Sequence, residues 1–181
     1  MPDGKLIVIS RLSGRPAGIV VVRLTANGDI DTGTGFGKNE QGFFEIFFPG
    51  IHISFIFGVG PLADAGVLVT CQYYNGDSLG SALIRLLKDG RPDEGFGDGG
   101  IICFDPLSGG TPEQVKRAQA QIAKRKVAGN ILTDRKSAGP YMFSGMEQSD
   151  GKIVLMTTAA DYSVGELKGM VIRLNPDGTF D

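Results

Sequence analysis

One pattern occurs three times in this chain and restricts its fold more than anything else in it: an apolar strand ending in Arg-Leu, a glycine turn, and a closing aspartate. The copies are IVVVRLTANGDID (Ile19–Asp31), ALIRLLKDGRPD (Ala82–Asp93) and MVIRLNPDGTFD (Met170–Asp181). Arg23, Arg85 and Arg173 align, as do Gly28, Gly90 and Gly178, and Asp31, Asp93 and Asp181. Each copy is preceded by a turn that leads into another apolar strand: PDGKLIVIS (Pro2–Ser10), ADAGVLVTC (Ala63–Cys71) and SDGKIVLMT (Ser149–Thr157). Asn-Gly and Asp-Gly suit turns that need positive φ, and such turns fix hairpin register. A chain that repeats this pair of strands is built from repeated β units.

The intervals between copies differ. Arg23 and Arg85 are 62 residues apart, Arg85 and Arg173 are 88 apart. The second interval holds TPEQVKRAQAQIAKRKVAGN (Thr111–Asn130), the one strong helix signal. Thr111 suits an N-cap, Pro112 the first helical position, and Gln114 completes a capping box. Val115, Ala118 and Ile122 share a face, and Gly129 suits the C-terminal stop. The spacing predicts a helix over 111–129, inserted in a loop. The remaining strands read as Gly42–Phe48 and Ile53–Gly58 around the Pro49-Gly50 turn, Gly100–Phe104, and Tyr141–Glu147. The order is A-B-C-D, A-B-C-helix-D, A-B. This is an all-β chain of ten strands and about two and a half four-stranded antiparallel units: about 1–62, about 63–148, and a half unit 149–181. Short strands with turns at an internal period of roughly 55–65 residues point to propeller blades.

The motifs Pro2-Asp3-Gly4-Lys5, Asp150-Gly151-Lys152 and Arg173-Leu174-Asn175-Pro176-Asp177-Gly178, with the Phe96-Gly97-Asp98-Gly99-Gly100 tail after Asp93 and Phe36-Gly37 after Asp31, resemble the bacterial delta-60 repeat. That resemblance implies a β-propeller-like array. It implies no particular chemistry, and a fold does not fix one.

Composition supports a globular chain and narrows the partners. The 28 glycines, about twice the average share, fall between apolar runs. The formal net charge is −2, so no global basic field favours nucleic acid or an anionic membrane. No apolar run approaches the ~20 residues of a membrane helix. The N-terminus lacks a signal-peptide pattern, which leaves a cytoplasmic protein or a natural N-terminus that is longer. Cys71 and Cys103 both fall in strands and read as small buried hydrophobes, with a disulfide between them as the lesser reading.

The chemistry-bearing residues argue against catalysis. Gly33–Lys38 (GTGFGK) lacks the spacing and following helix of a phosphate loop. His52, the single histidine, sits between two Phe-rich strands with no Gly-x-Ser-x-Gly elbow anywhere, and no close spacing of ligands suggests zinc. The Asp-Gly turns lack the calcium-loop pattern. The repeated Arg, Gly and Asp read as structural, with Arg holding the turn Asp of its own or a neighbouring unit. No cofactor is expected. The basic cluster Lys116, Arg117, Lys124, Arg125, Lys126 reads first as a solvated helix face and second as a docking surface for an acidic partner or nucleic acid. The Phe-rich segment (Phe43, Phe44, Phe47, Phe48, Phe55, Phe57) is apolar on both strand faces, so both faces are buried. Unpaired edges and an open apolar end invite association. The expectation is a non-catalytic interaction or scaffold module that completes itself as a homo-oligomer, a C2 dimer by default. The alternatives are a ligand-binding or hydrolytic propeller with a loop-built site, and binding through the basic helix.

Overall fold

The computed structural model describes residues 4–14, 17–74, 79–104, 141–161 and 166–181. The predicted helix at 111–129 and the basic cluster on it lie outside these residues. Among the described residues there are ten strands: β1 (Leu6–Leu12), β2 (Gly18–Leu24), β3 (Phe43–Ile46), β4 (His52–Pro61), β5 (Val67–Tyr74), β6 (Leu79–Leu86), β7 (Ile101–Phe104), β8 (Tyr141–Glu147), β9 (Ile153–Asp161) and β10 (Glu166–Leu174). They form three antiparallel sheets: β1-β2-β3, β4-β5-β6-β7, and β8-β9-β10.

The sheets do not coincide with the sequence units. The fourth strand of each unit pairs with the first strand of the next, so β4 lies beside β5 and β8 beside β9. The result is one four-stranded sheet between two three-stranded ones, a correction to two complete units and a half. The cause lies at the two turns that flank β4. Across Pro49-Gly50 the chain makes only an isolated bridge, Phe48 to Ile51, and crosses from one sheet to the next. Across 62–66 it makes a tight hairpin, with the Leu62 N–H donating to the Gly66 carbonyl and the ladder continuing from Pro61↔Val67.

Alternation along each strand produces two cores. The face of the first sheet that carries Ile19, Val21 and Ile46 packs on Val67, Val69, Cys71, Ala82, Ile84 and Leu86 of the middle sheet. The opposite face of the middle sheet, with Leu68, Leu83 and Phe104, packs on Ile153, Leu155 and Leu174 of the third. The middle sheet is therefore apolar on both faces, as a sheet covered on both sides must be.

The repeated turns are identical in their hydrogen bonds. In the three copies the N–H groups of Thr25, Leu87 and Asn175 donate to the carbonyls of Asp29, Arg91 and Thr179, and the glycine N–H four residues into each loop donates back to the first carbonyl. Gly28, Gly90 and Gly178 sit at φ 90°, 91° and 89°, a region L side chains avoid.

Candidate functional site

Each Arg-Leu copy forms a clamp with the aspartate eight residues on. The Arg23 Nε donates to Asp31 Oδ2 at 2.6 Å, and the Arg173 Nε to Asp181 Oδ2 at 2.5 Å. The Asp N–H returns a bond to the Arg carbonyl in all three copies. Lys5 and Lys152, at the starts of β1 and β9, add a second cation at 3.0 Å from Asp31 and 2.5 Å from Asp181. These contacts hold both carboxyls below the ordinary aspartate range: the lysine hydrogen bond is the chief cause, burial opposes it, and the arginine adds to it.

The middle copy is wired differently. Ala65 and Gly66 stand where the other copies have Gly-Lys. Without the lysine, the Arg85 guanidinium is shared: one amino group donates to Asp64 Oδ2 at 2.9 Å, the other to the Pro176 carbonyl at 3.1 Å. Its Nε lies 3.1 Å from Asp93 Oδ2 but is not aligned for a hydrogen bond. Burial pushes the Asp64 carboxyl up, and the Gly66 N–H together with Arg85 outweigh it, so the group ends below its ordinary value.

A second device joins consecutive units. The Phe-Gly tails after Asp31 and Asp93 each insert into the glycine turn of the next copy. Phe36 is buried against Gly90, where an added Cβ would fall 2.6 Å from the ring. Phe96 is buried against Gly178, where an added Cβ would fall 3.1 Å from it. The glycine after each Phe donates its N–H to the turn carbonyl ahead of the socket glycine: Gly37 to Asp89 at 3.3 Å, Gly97 to Asp177 at 3.0 Å. Arg23 lies 4.5 Å over the Phe36 ring and also bonds Thr34, so it ties clamp to tail. Gly33–Lys38, the apparent phosphate loop, is this tail.

The remaining candidate residues are scattered. His52 is exposed at the first position of β4. Cys71 and Cys103 are both free; burial pushes the Cys71 thiol up to about 12, and burial with the nearby Asp98 pushes Cys103 up to about 11. Among the described residues no group of three or more His, Cys, Asp or Glu is placed to hold a metal, and no helix is long and apolar enough to cross a membrane. An open cleft of about 450 Å³ lies beside the Phe96 junction, lined in part by Asp98, Cys103, Asp177 and Thr179.

The end faces are the most distinctive surface. Val171 is 71% exposed, whereas Val21 and Leu83, at the same repeat position, are 1% and 0% exposed. Leu6 is 53% exposed, whereas Val67 and Ile153 are 7% and 0% exposed. Val8 follows Leu6, and Met146 and Met156 follow Val171. Which side chains line these faces is not legible in the sequence, because it depends on how strands are shared between sheets.

With this geometry in hand, the chain can be set beside known proteins. Residues 2–33 and 148–181 match the family model described as a domain of unknown function (DUF5122) beta-propeller. The two segments are the first and third copies, which carry Gly4-Lys5 and Gly151-Lys152; the middle copy, with Ala65-Gly66, lies between them. No curated protein matches the chain, and no solved structure does. The three stacked antiparallel sheets and this match agree on a β-propeller-like domain.

Proposed function

We propose that this β-propeller-like domain is a non-catalytic interaction module that associates with further copies of itself through its two end faces. The observation that carries this reading is the exposure of positions that are buried at both internal junctions. The two faces are also of opposite kind. Leu6 and Val8 belong to the face that, in the middle and third sheets, receives the preceding sheet. Met156 and Val171 belong to the face that, in the first and middle sheets, receives the following one. A head-to-tail contact between two copies therefore brings together the same pair of faces as an internal junction. Two such contacts between two chains close with C2 symmetry, and a rotation that does not close gives a filament.

Burying one large aliphatic side chain contributes about 1.5–3 kcal/mol, and about 1.4 kcal/mol is tenfold in affinity. Val171→Glu, at a position outside both cores, is thus expected to weaken association at least about tenfold while leaving the fold intact. Sedimentation velocity over a wide concentration range reads this directly. A native chain that stays monomeric throughout, or a Val171→Glu variant that associates as the native chain does, overturns the reading.

A further inference from the structure

The turn of the first copy is a socket of the same construction as the two that are filled. Gly28 has the same φ as Gly90 and Gly178, and the same two turn hydrogen bonds surround it. At Gly90 the space over the glycine holds the Phe36 ring, and at Gly178 it holds Ile102 together with the Phe96 ring; at Gly28 an added Cβ would meet none of the described residues within 4 Å. At the filled sockets the Asp89 and Asp177 carbonyls accept a bond from the glycine after that phenylalanine. Asn27 occupies the corresponding position, and its carbonyl accepts no hydrogen bond among the described residues. Beside the filled turns Leu86 and Leu174 are fully buried, whereas beside the first turn Leu24 is only half-buried.

We infer that the Asn27-Gly28 turn is a docking site for a Phe-Gly tail like those that follow Asp31 and Asp93, supplied by another repeat-bearing segment. The ring would lie on the glycine, where any side chain would exclude it. The following N–H would reach the Asn27 carbonyl. The occupant is named by continuity: two of the three equivalent turns in this molecule already hold a Phe-Gly tail, each with a buried phenylalanine beside the glycine and the following N–H on the turn carbonyl. The inference rests on the reading of the first end face as an association surface; because Phe36 and Phe96 are already seated in this chain's own sockets, the tail comes from a further Phe-Gly segment.

The test is a titration of the isotopically labelled full chain with the peptide DEGFGDGG, the sequence of Asp93–Gly100, followed by amide chemical shifts. Saturating shifts at Asn27 and Gly28 are expected by a few millimolar peptide, the affinity range of a single short contact. Gly90 and Gly178, whose sockets are filled, stay unmoved and serve as internal controls. The peptide with Phe replaced by Ala should bind at least about tenfold more weakly, since the ring is the buried anchor. Gly28→Ala should abolish binding; if that variant fails to fold, the paired peptides on the native chain decide alone. Absence of saturating shifts at Gly28, or equal shifts with the Ala peptide, overturns the inference. A chain that self-associates in sedimentation yet ignores the peptide refutes this socket and leaves the association reading standing; peptide binding by a strictly monomeric chain does the reverse.

Discussion

Ala65 is the one repeat position where the residue opposes the backbone it must adopt, and replacing it with glycine should stabilise the protein. It sits at φ 66°, between the equivalent Gly4 at 76° and Gly151 at 79°. An L-residue in this region costs roughly 1–2 kcal/mol, which Ala65→Gly recovers. Glycine gives back about 0.4–1 kcal/mol through the freedom of the unfolded chain. Loss of a half-buried methyl gives back about 0.4 kcal/mol more, taking half the value of a buried methylene. The net is a gain of about 0.5 kcal/mol, or about 0.2–0.3 M in urea midpoint for a slope near 2 kcal/mol/M. Gly151→Ala makes the same exchange in reverse. Its new Cβ would press to 3.3 Å from Pro176 Cγ, so it gains no favourable contact and should cost about 1 kcal/mol. Equilibrium urea unfolding of the two single variants measures both. A lowered midpoint for Ala65→Gly, or variants that shift in the same direction, would refute the assignment of a shared left-handed turn position.

Gly90→Ala should cost about 2–5 kcal/mol, adding left-handed strain to a clash with the buried Phe36 ring, whereas Gly28→Ala should cost only the strain of about 1–2 kcal/mol; thermal unfolding separates the two. Stability should fall in acid: Asp31, Asp64, Asp177 and Asp181 all lie below their ordinary value of 3.8 when folded. The unfolded chain then binds more protons, so their contribution is complete above that value and is lost as pH falls through the lower folded ones. Denaturation midpoints taken at descending pH should show this, with a shallower decline in Asp31→Asn; an unchanged slope in that variant refutes the clamp as its source. Both thiols should react slowly with a thiol reagent at pH 8, because thiolate is the reactive form and burial keeps Cys71 near 12 and Cys103 near 11. Exposed Cys103 should be labelled first and buried Cys71 only on unfolding; native labelling of Cys71 at the rate of a free thiol contradicts its burial.

Much of this architecture was legible because its signals are local. Arg23, Gly28 and Asp31 lie within one hairpin, so their recurrence at Arg85, Gly90 and Asp93, and again at Arg173, Gly178 and Asp181, marks the same hydrogen-bonded turn each time. The sharing of strands was not legible. Pro49-Gly50 and the 62–66 segment both read as tight turns, and only packing against β1 and β8 decides that β4 crosses at the first and pairs at the second. The Phe-Gly tail was visible as sequence, but its destination, 54 residues away for Phe36 and 82 for Phe96, is a tertiary contact with no periodicity to announce it; Phe96 and Gly178 are joined only by the fold. The role of Arg85 differed for the same reason, since its bonds to Asp64 and the Pro176 carbonyl come from outside its own hairpin.

The displacement of the sheets from the sequence repeats bears on how this chain can be divided. In a simple array each repeat is a self-contained module, and one more or one fewer changes stability by a fixed increment. Here every internal boundary is sewn over twice, once by an edge strand lent forward to the next sheet and once by a phenylalanine lent forward to the next turn. A cut placed at the end of a sequence repeat, after β4, strips the middle sheet of its edge and leaves a lone strand on the other fragment. A cut placed before β4, at Pro49-Gly50, respects the sheets. The natural joints of this molecule therefore fall inside its repeats, and neighbouring repeats should melt together.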